Sequence, residues 1–215
     1  MNKFSFIFLV FFSGFGIQNA GNDWHLESSK NGIAVYSKTV PGNSVNAVKS
    51  VCTLNCSLSG MVALIVDVAS YHKWIYHCEH AEVLKTISPL ELIYHQETEA
   101  PWPASNRDFI GRLKISQDYK TGVISASVEN MPDYIPEKPG VVRLKQFNER
   151  LFIIPLGRGK SEISYELLMD VGGNIPGWMV NLAITAGPYE SLSEMTKLVN
   201  TGVYNNIHYP YIKDF

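Results

Sequence analysis

Pro101-Trp102-Pro103-Ala104-Ser105-Asn106-Arg107-Asp108-Phe109 passes from a stiff loop straight into a strand. Two prolines flank Trp102 and fix the loop's backbone. From Arg107 onward the side chains alternate, with Phe109, Gly111, Leu113 and Ile115 on one face and Asp108, Arg112 and Lys114 on the other. Neighbouring strand residues point to opposite faces, so Arg107 looks to the apolar side and Asp108 away from it. Such a half-polar strand belongs to an antiparallel sheet with one dry and one wet face.

The same alternation recurs outward from this strand. Leu92, Tyr94, Gln96 and Thr98 share a face of the preceding strand, Glu91 to Glu99, which follows another at Ala81 to Ile87. Ile163, Tyr165, Leu167 and Met169 share a face of the last strand, Glu162 to Asp170, opposite Glu162, Ser164 and Glu166. Ile33 to Val40 and Val45 to Asn55 flank the turn Pro41-Gly42-Asn43-Ser44 and read as a hairpin. Ser57 suits the N-cap of a helix through Asp67, with Leu58, Met61, Val62, Ile65 and Val66 as its buried stripe. Val123 to Glu129, Val141 to Phe147 and Leu151 to Pro155 are further strands, separated by an irregular excursion at Met131 to Gly140. A final helix with Pro176 in its first turn runs to about Asn200. Its Trp178, Leu182, Tyr189, Leu192, Met195 and Val199 recur at helical spacing, and Gly187-Pro188 should bend or break it. One dry sheet face and one long amphipathic helix predict an α+β fold in which a curved antiparallel sheet grips the helix over an apolar cavity.

Composition agrees with one globular domain, at 46% hydrophobic and 18% charged residues. Residues 1–20 stand apart: Lys3, the apolar run Phe4 to Ile17 and Gln18-Asn19-Ala20 read as a secretory leader. The run is short for a membrane span, which needs about 20 residues, and an uncleaved anchor is the other reading. Export places the domain, residues 21–200, in a periplasm, followed by a tail at 201–215. Without Lys3 the formal charge moves from −2 to −3, too weak a bias for a polyanionic partner, and nucleic-acid binding is not expected. Cys52 and Cys56, on one predicted strand, would lie roughly 13 Å apart, beyond a disulfide's reach of about 7 Å.

Taken in order with Asn130-Met131-Pro132, Gly140-Val141-Val142-Arg143 and Asp170-Val171-Gly172-Gly173-Asn174-Ile175-Pro176, the opening stretch resembles the START family of lipid-transfer domains, from about Trp24 to Val199. The resemblance implies the helix-grip fold shared with Bet v 1-like proteins and a lipid or other hydrophobic small molecule as partner. It also implies transient membrane contact, a monomeric carrier and no cofactor. Cavity-facing candidates are then Leu92, Tyr94 and Gln96; Arg107, Phe109 and Leu113; Ile163, Tyr165, Leu167 and Met169; and Trp178 and Leu182 of the helix. Trp102, at the mouth, is read either as touching the membrane interface or as packed against the last helix. Arg107 either holds the Pro-Trp-Pro loop or contacts a lipid headgroup. Cholesterol-binding members carry an arginine six residues beyond the Arg of the Arg-Asp pair and a glutamate facing it. Leu113 stands at the first position and Tyr94 or Gln96 at the second, so the resemblance implies a more neutral cavity here.

Catalytic chemistry finds no motif. A Gly-x-Ser-x-Gly elbow and a phosphate-binding glycine loop are both missing from the sequence. His72, His77, Cys78, Glu79 and His80 suggest metal ligands only if the segment is helical, and His95 stands alone in a strand. A cyclase-like enzyme on the same superfold and a ligand-free interaction module remain the alternatives to lipid binding.

Overall fold

A computed structural model of the chain describes residues 24–40, 46–170, 175 and 177–215, with backbone alone at 177–179 and 181–185. The leader read in residues 1–20, the turn at 41–44 and the Val171-to-Asn174 landmark lie outside the described residues.

Among the described residues ten strands form one open sheet: β1 (His25–Lys30), β2 (Ile33–Lys38), β3 (Ala47–Leu54), β4 (Cys78–Ser88), β5 (Glu91–Thr98), β6 (Arg107–Gln117), β7 (Ile124–Asn130), β8 (Val142–Arg143), β9 (Gln146–Gly157) and β10 (Lys160–Asp170). Their order is β1-β2-β3-β10-β9-β7-β6-β5-β4, antiparallel throughout, with β8 running parallel to β6. Two helices complete it, α1 (Leu58–Val66) and α2 (Gly177–Asn200), with a 3-10 helix at Val68–Lys73. The sheet is curved, and α2 lies against β2 and β3 on its concave side. This is the helix-grip architecture expected from the alternation.

Four local features depart from the sequence reading. The strands expected at Val141 to Phe147 and Leu151 to Pro155 are instead the two-residue β8 and one continuous twelve-residue β9. The polar run Asn148-Glu149-Arg150 had looked like a break, but Phe147, Glu149, Leu151 and Ile153 keep the inward phase straight through it. Gly187-Pro188 does not break α2. Proline removes one backbone donor there, and Leu192, Met195 and Val199, buried just beyond, hold the helix by packing. In α1, Ser57 does cap the helix, its hydroxyl accepting from the Gly60 N–H at 3.0 Å. Yet Leu58 through Ile65 are all buried, not one stripe alone. The second cover is the segment after α2: Asp214 accepts from the Ser59 N–H and hydroxyl, both at 2.8 Å, and the Tyr204 hydroxyl donates to Asp67 at 2.9 Å.

The convex side is not uniformly wet either. Asp108 and Arg143 are each almost completely buried there under the Met131-to-Val141 excursion. Arg143 Nε and Nη2 donate to the two Asp108 oxygens at 2.8 and 3.0 Å, and Nη1 donates to the Pro132 and Ile135 carbonyls. His95 Nε2 meets Asp108 Oδ2 at 3.0 Å. Burial by itself would raise the Asp108 pKa, but the Arg143 and His95 hydrogen bonds outweigh it and hold the carboxyl below its ordinary value. The charge pair thus fastens the excursion to β6 from behind. Breaking a buried pair by removing one partner costs about 3–5 kcal/mol. Arg143→Leu is therefore expected to lower unfolding free energy by about that amount in urea denaturation. Asp108→Asn in the same background should recover part of the loss; an Arg143→Leu protein of unchanged stability would contradict the clamp.

Candidate functional site

A pocket of ≈ 240 Å³ lies between the concave face and α2. Tyr94 and Gln96 of β5, Arg107, Phe109 and Leu113 of β6, and Tyr165, Leu167 and Met169 of β10 all line it. Leu92 and Ile163 are buried in the core beside these residues and do not line the pocket. Trp102 is 90% exposed at its loop, so it is neither a pocket wall nor packed on α2. The side chains of Trp178 and Leu182 lie outside the described residues.

Aromatic rings set the pocket's shape. Tyr94 meets Tyr71 edge-on at 5.6 Å and Phe109 at 5.5 Å, and Phe109 stacks on Phe147 at 4.0 Å. Gly111 makes that crossing possible: a Cβ there would sit 2.5 Å from Val128 Cγ1 and 2.9 Å from Tyr94 Cε1. Tyr71 and Trp74 come from the 3-10 helix and the residue after it, which no strand periodicity pointed to. Tyr76 closes one side, its ring 3.3 Å from the Cβ position of Gly187 and its backbone N–H donating to Ser191 Oγ at 3.0 Å.

The polar groups fall at two ends. At the loop end, Arg107 borders the pocket, its guanidinium donating to the Ser105 carbonyl, and burial lowers its pKa. His77 and Glu99 pair beside it at 3.6 Å. At the inner end stands Glu149, which the sequence reading passed over because it had been placed between strands. Register sets it in one cross-strand row with Leu113, Val128 and Leu167. That row lies six residues along β6 from Arg107, roughly 20 Å deeper. No hydrogen bond or ion pair reaches the Glu149 carboxyl among the described residues, and burial pushes its pKa from 4.5 to about 7. Its charge in turn helps keep Tyr71, Tyr94 and Tyr165 protonated, after burial, the larger cause. Trp74 Nε1 is likewise buried without a partner. The expected neutrality therefore holds at Leu113 but not across the whole row.

The histidines resolve differently. His80 lies on strand β4, so the helical spacing that metal binding required of His77 and His80 does not arise. Instead His80, Glu82 and His95 bring ligand-type atoms within 4.8 Å of one another on the convex side, and His95 is turned there by Asp108. Cys52, Cys56 and Cys78 are buried and unpaired, with burial raising their thiols to about 12, 11 and 11. They are therefore protonated and poor nucleophiles near neutrality.

The model of the START domain matches residues 16–202. Bovine phosphatidylcholine transfer protein is 29% identical over 183 residues, covering 83% of this chain and 84% of that protein. A Pseudomonas aeruginosa protein of uncharacterised role is 29% identical over 182 residues, covering 83% and 88%. Among solved structures, a STAR-related lipid transfer protein fragment from Xanthomonas axonopodis superposes with a TM-score of 0.76 at 25% identity, covering 83% of this chain and 99% of that one. Human StAR-related lipid transfer protein 5 shares the fold at a TM-score of 0.71 and 18% identity, covering 86% and 89%. The chain belongs to the START domain family.

Glu149 gives the fold a signature in pH. Its folded pKa, about 7, lies above the ordinary 4.5, so between those values the folded chain holds a proton the unfolded chain has released. Stability should therefore fall as pH rises through that window. Asp108 and Glu97, whose pKa values are lowered, act with the opposite sign and only in more acid solution. In lipid-stripped protein, the urea midpoint is expected to drop from pH 5 to pH 8, and Glu149→Gln should flatten the drop. An equally steep drop in the variant would place the titrating group elsewhere.

Proposed function

We propose that this START domain carries one lipid in the pocket under α2 and moves it between membranes without covalent chemistry. The observation that carries the proposal is the pocket's position, roofed by α2 and walled by aromatic and aliphatic side chains of five strands. If a lipid buries about 400 Å² of apolar surface there, the gross gain is on the order of 10 kcal/mol. Lost translational freedom and ordering of the loops remove much of that, and what is left supports reversible binding, which a carrier needs. The relatives named for phosphatidylcholine and StAR-related lipid transfer support the cargo class. The head of the cargo is set by this chain's own polar groups.

Trp102 gives the carrier its membrane contact. It projects from the loop whose Ala100 and Pro101 border the pocket, and tryptophan favours the bilayer interface. Arg107, just inside, is the first charged group an entering head would meet. Opening requires this loop to part from Gly187 and Pro188 of α2, which border the same mouth. The leader read in residues 1–20 supports work in a periplasm, where lipids must cross water between two membranes, and the carrier acts as a monomer.

Two variants test this in a donor-to-acceptor vesicle assay with labelled lipid. Trp102→Ala should slow transfer several-fold while equilibrium binding is retained. Leu167→Trp, on the pocket wall, should abolish binding yet leave stability nearly intact, because the new ring fills a hollow. In a solidly packed interior the same insertion would cost about 1–3 kcal/mol. Normal binding by Leu167→Trp, or transfer unaffected by either change, would overturn the proposal.

A further inference from the structure

The convex face of the β4–β5 edge carries a cluster of side chains that lipid carriage does not use. His80 and Glu82 stand two residues apart on β4 and so share a face, and register sets His95 of β5 directly opposite Glu82. Facing positions on antiparallel strands hold their Cβ atoms about 4.5–5.5 Å apart, close enough for three side chains to reach one point. Glu82 Oε1 lies 3.6 Å from His80 Nε2 and 3.8 Å from His95 Nδ1. Both distances exceed a hydrogen bond, which ends near about 3.2 Å. They match the spacing of two ligands on one ion, each about 2.0–2.2 Å from it and so roughly 3.3–3.8 Å from each other. All three ligand atoms fall within 4.8 Å of one another.

His95 is already oriented for the task. Its side chain is buried, and its Nε2 meets Asp108 Oδ2 at 3.0 Å. Arg143 Nε and Nη2 donate to the same carboxylate, which therefore accepts from His95 and fixes the ring proton on Nε2. The lone pair is then on Nδ1, the atom turned toward Glu82. Metal-bound histidines almost always donate their second nitrogen's proton in this way, often to a carboxylate. His80 and Glu82 are exposed and have room to close the remaining gap. We propose that His80 Nε2, Glu82 Oε1 and His95 Nδ1 bind one divalent ion of the zinc class, with water at the fourth position. Two imidazoles and a carboxylate suit zinc, nickel or copper, whereas calcium and magnesium take oxygen ligands. Glu97, opposite His80, is not a fourth ligand, since Lys138 and Asn106 hold it. The ion stabilises the weakest border of the sheet. β4 is the last strand in the order, and its pairing with β5 shifts register at three places. An ion shared by both strands clips that edge and braces β5, whose Tyr94 and Gln96 line the pocket from the opposite face. The site stands on these side chains alone and does not depend on lipid carriage.

The test titrates metal-free, untagged, full-length protein with cobalt(II) and then with zinc. The wild-type chain should bind one cobalt ion with the intense visible absorption of a four-coordinate site, and zinc should displace it while calcium does not. Zinc should also slow hydrogen exchange at the amides that pair β4 with β5, which an ion resting on scattered surface groups would leave unchanged. Loss of an outer partner of a metal ligand typically costs about 10–100-fold in affinity, so loss of a ligand should cost at least about ten-fold. His80→Asn and Glu82→Gln lie on the exposed edge, so each should keep its fold and show that loss for zinc. His208→Asn, outside the cluster, should bind as the wild type does. Zinc affinity unchanged in both His80→Asn and Glu82→Gln would place the ion elsewhere and overturn the site. No saturable binding by the wild-type chain up to about 100 μM zinc would overturn it as well.

Discussion

A path of nine hydrogen-bonded strands, spaced about 4.8 Å apart, presents a concave face nearly 40 Å wide, whereas a helix with its side chains is about 10–12 Å across. Curvature narrows the difference without removing it. α2 covers β2 and β3, the 3-10 helix packs against β4 at the opposite edge and α1 touches β9, while the inner faces of β5, β6, β7, β9 and β10 border open space. The pocket follows from this mismatch of widths. Its apolar walls would otherwise pull the interior closed, and large rings set at fixed angles, Tyr94 over Gly111 and Phe109 on Phe147, prop it open.

The outer face does the complementary work. Asp108 points away from the pocket and is clamped by Arg143, while its neighbour Arg107 points inward at the mouth. Strand geometry couples the two: anchoring Asp108 to the excursion loop fixes the backbone that aims Arg107. A buried ion pair is a weak source of net stability but a strict one for position, and position is what a mouth-lining arginine requires. Glu97, held by Lys138 at 2.8 Å and by Asn106 at 2.9 Å, extends the same anchoring to the loop that carries Trp102.

Much of this was legible from alternation. β6 and β10 could be assigned inward and outward faces residue by residue, and Ser57 marked the start of α1. Periodicity failed where a charged residue pointed inward. Glu149 interrupts the apolar phase of β9, so periodicity does not reveal the carboxyl at the inner end of the pocket. It failed again where partners come from distant chain segments. His95 looks solitary in sequence because Asp108 and Glu82 reach it from neighbouring strands, and Asp214 covers α1 from 155 residues away. A short helical turn from Ser70 through Trp74 is expected from its capping residue and forms as the 3-10 helix, but a turn so short has no periodicity to show that Tyr71 faces the pocket. Sequence pattern reports which face is dry; it does not report which dry surface remains uncovered.

Native mass spectrometry of the protein purified from its own host, followed by extraction of whatever travels with it, tests the central claim most directly. The account predicts a single lipid adduct per chain, released by organic solvent. Bare protein from lipid-rich cells, together with a crystal structure in which side chains fill the space beneath α2, would contradict it.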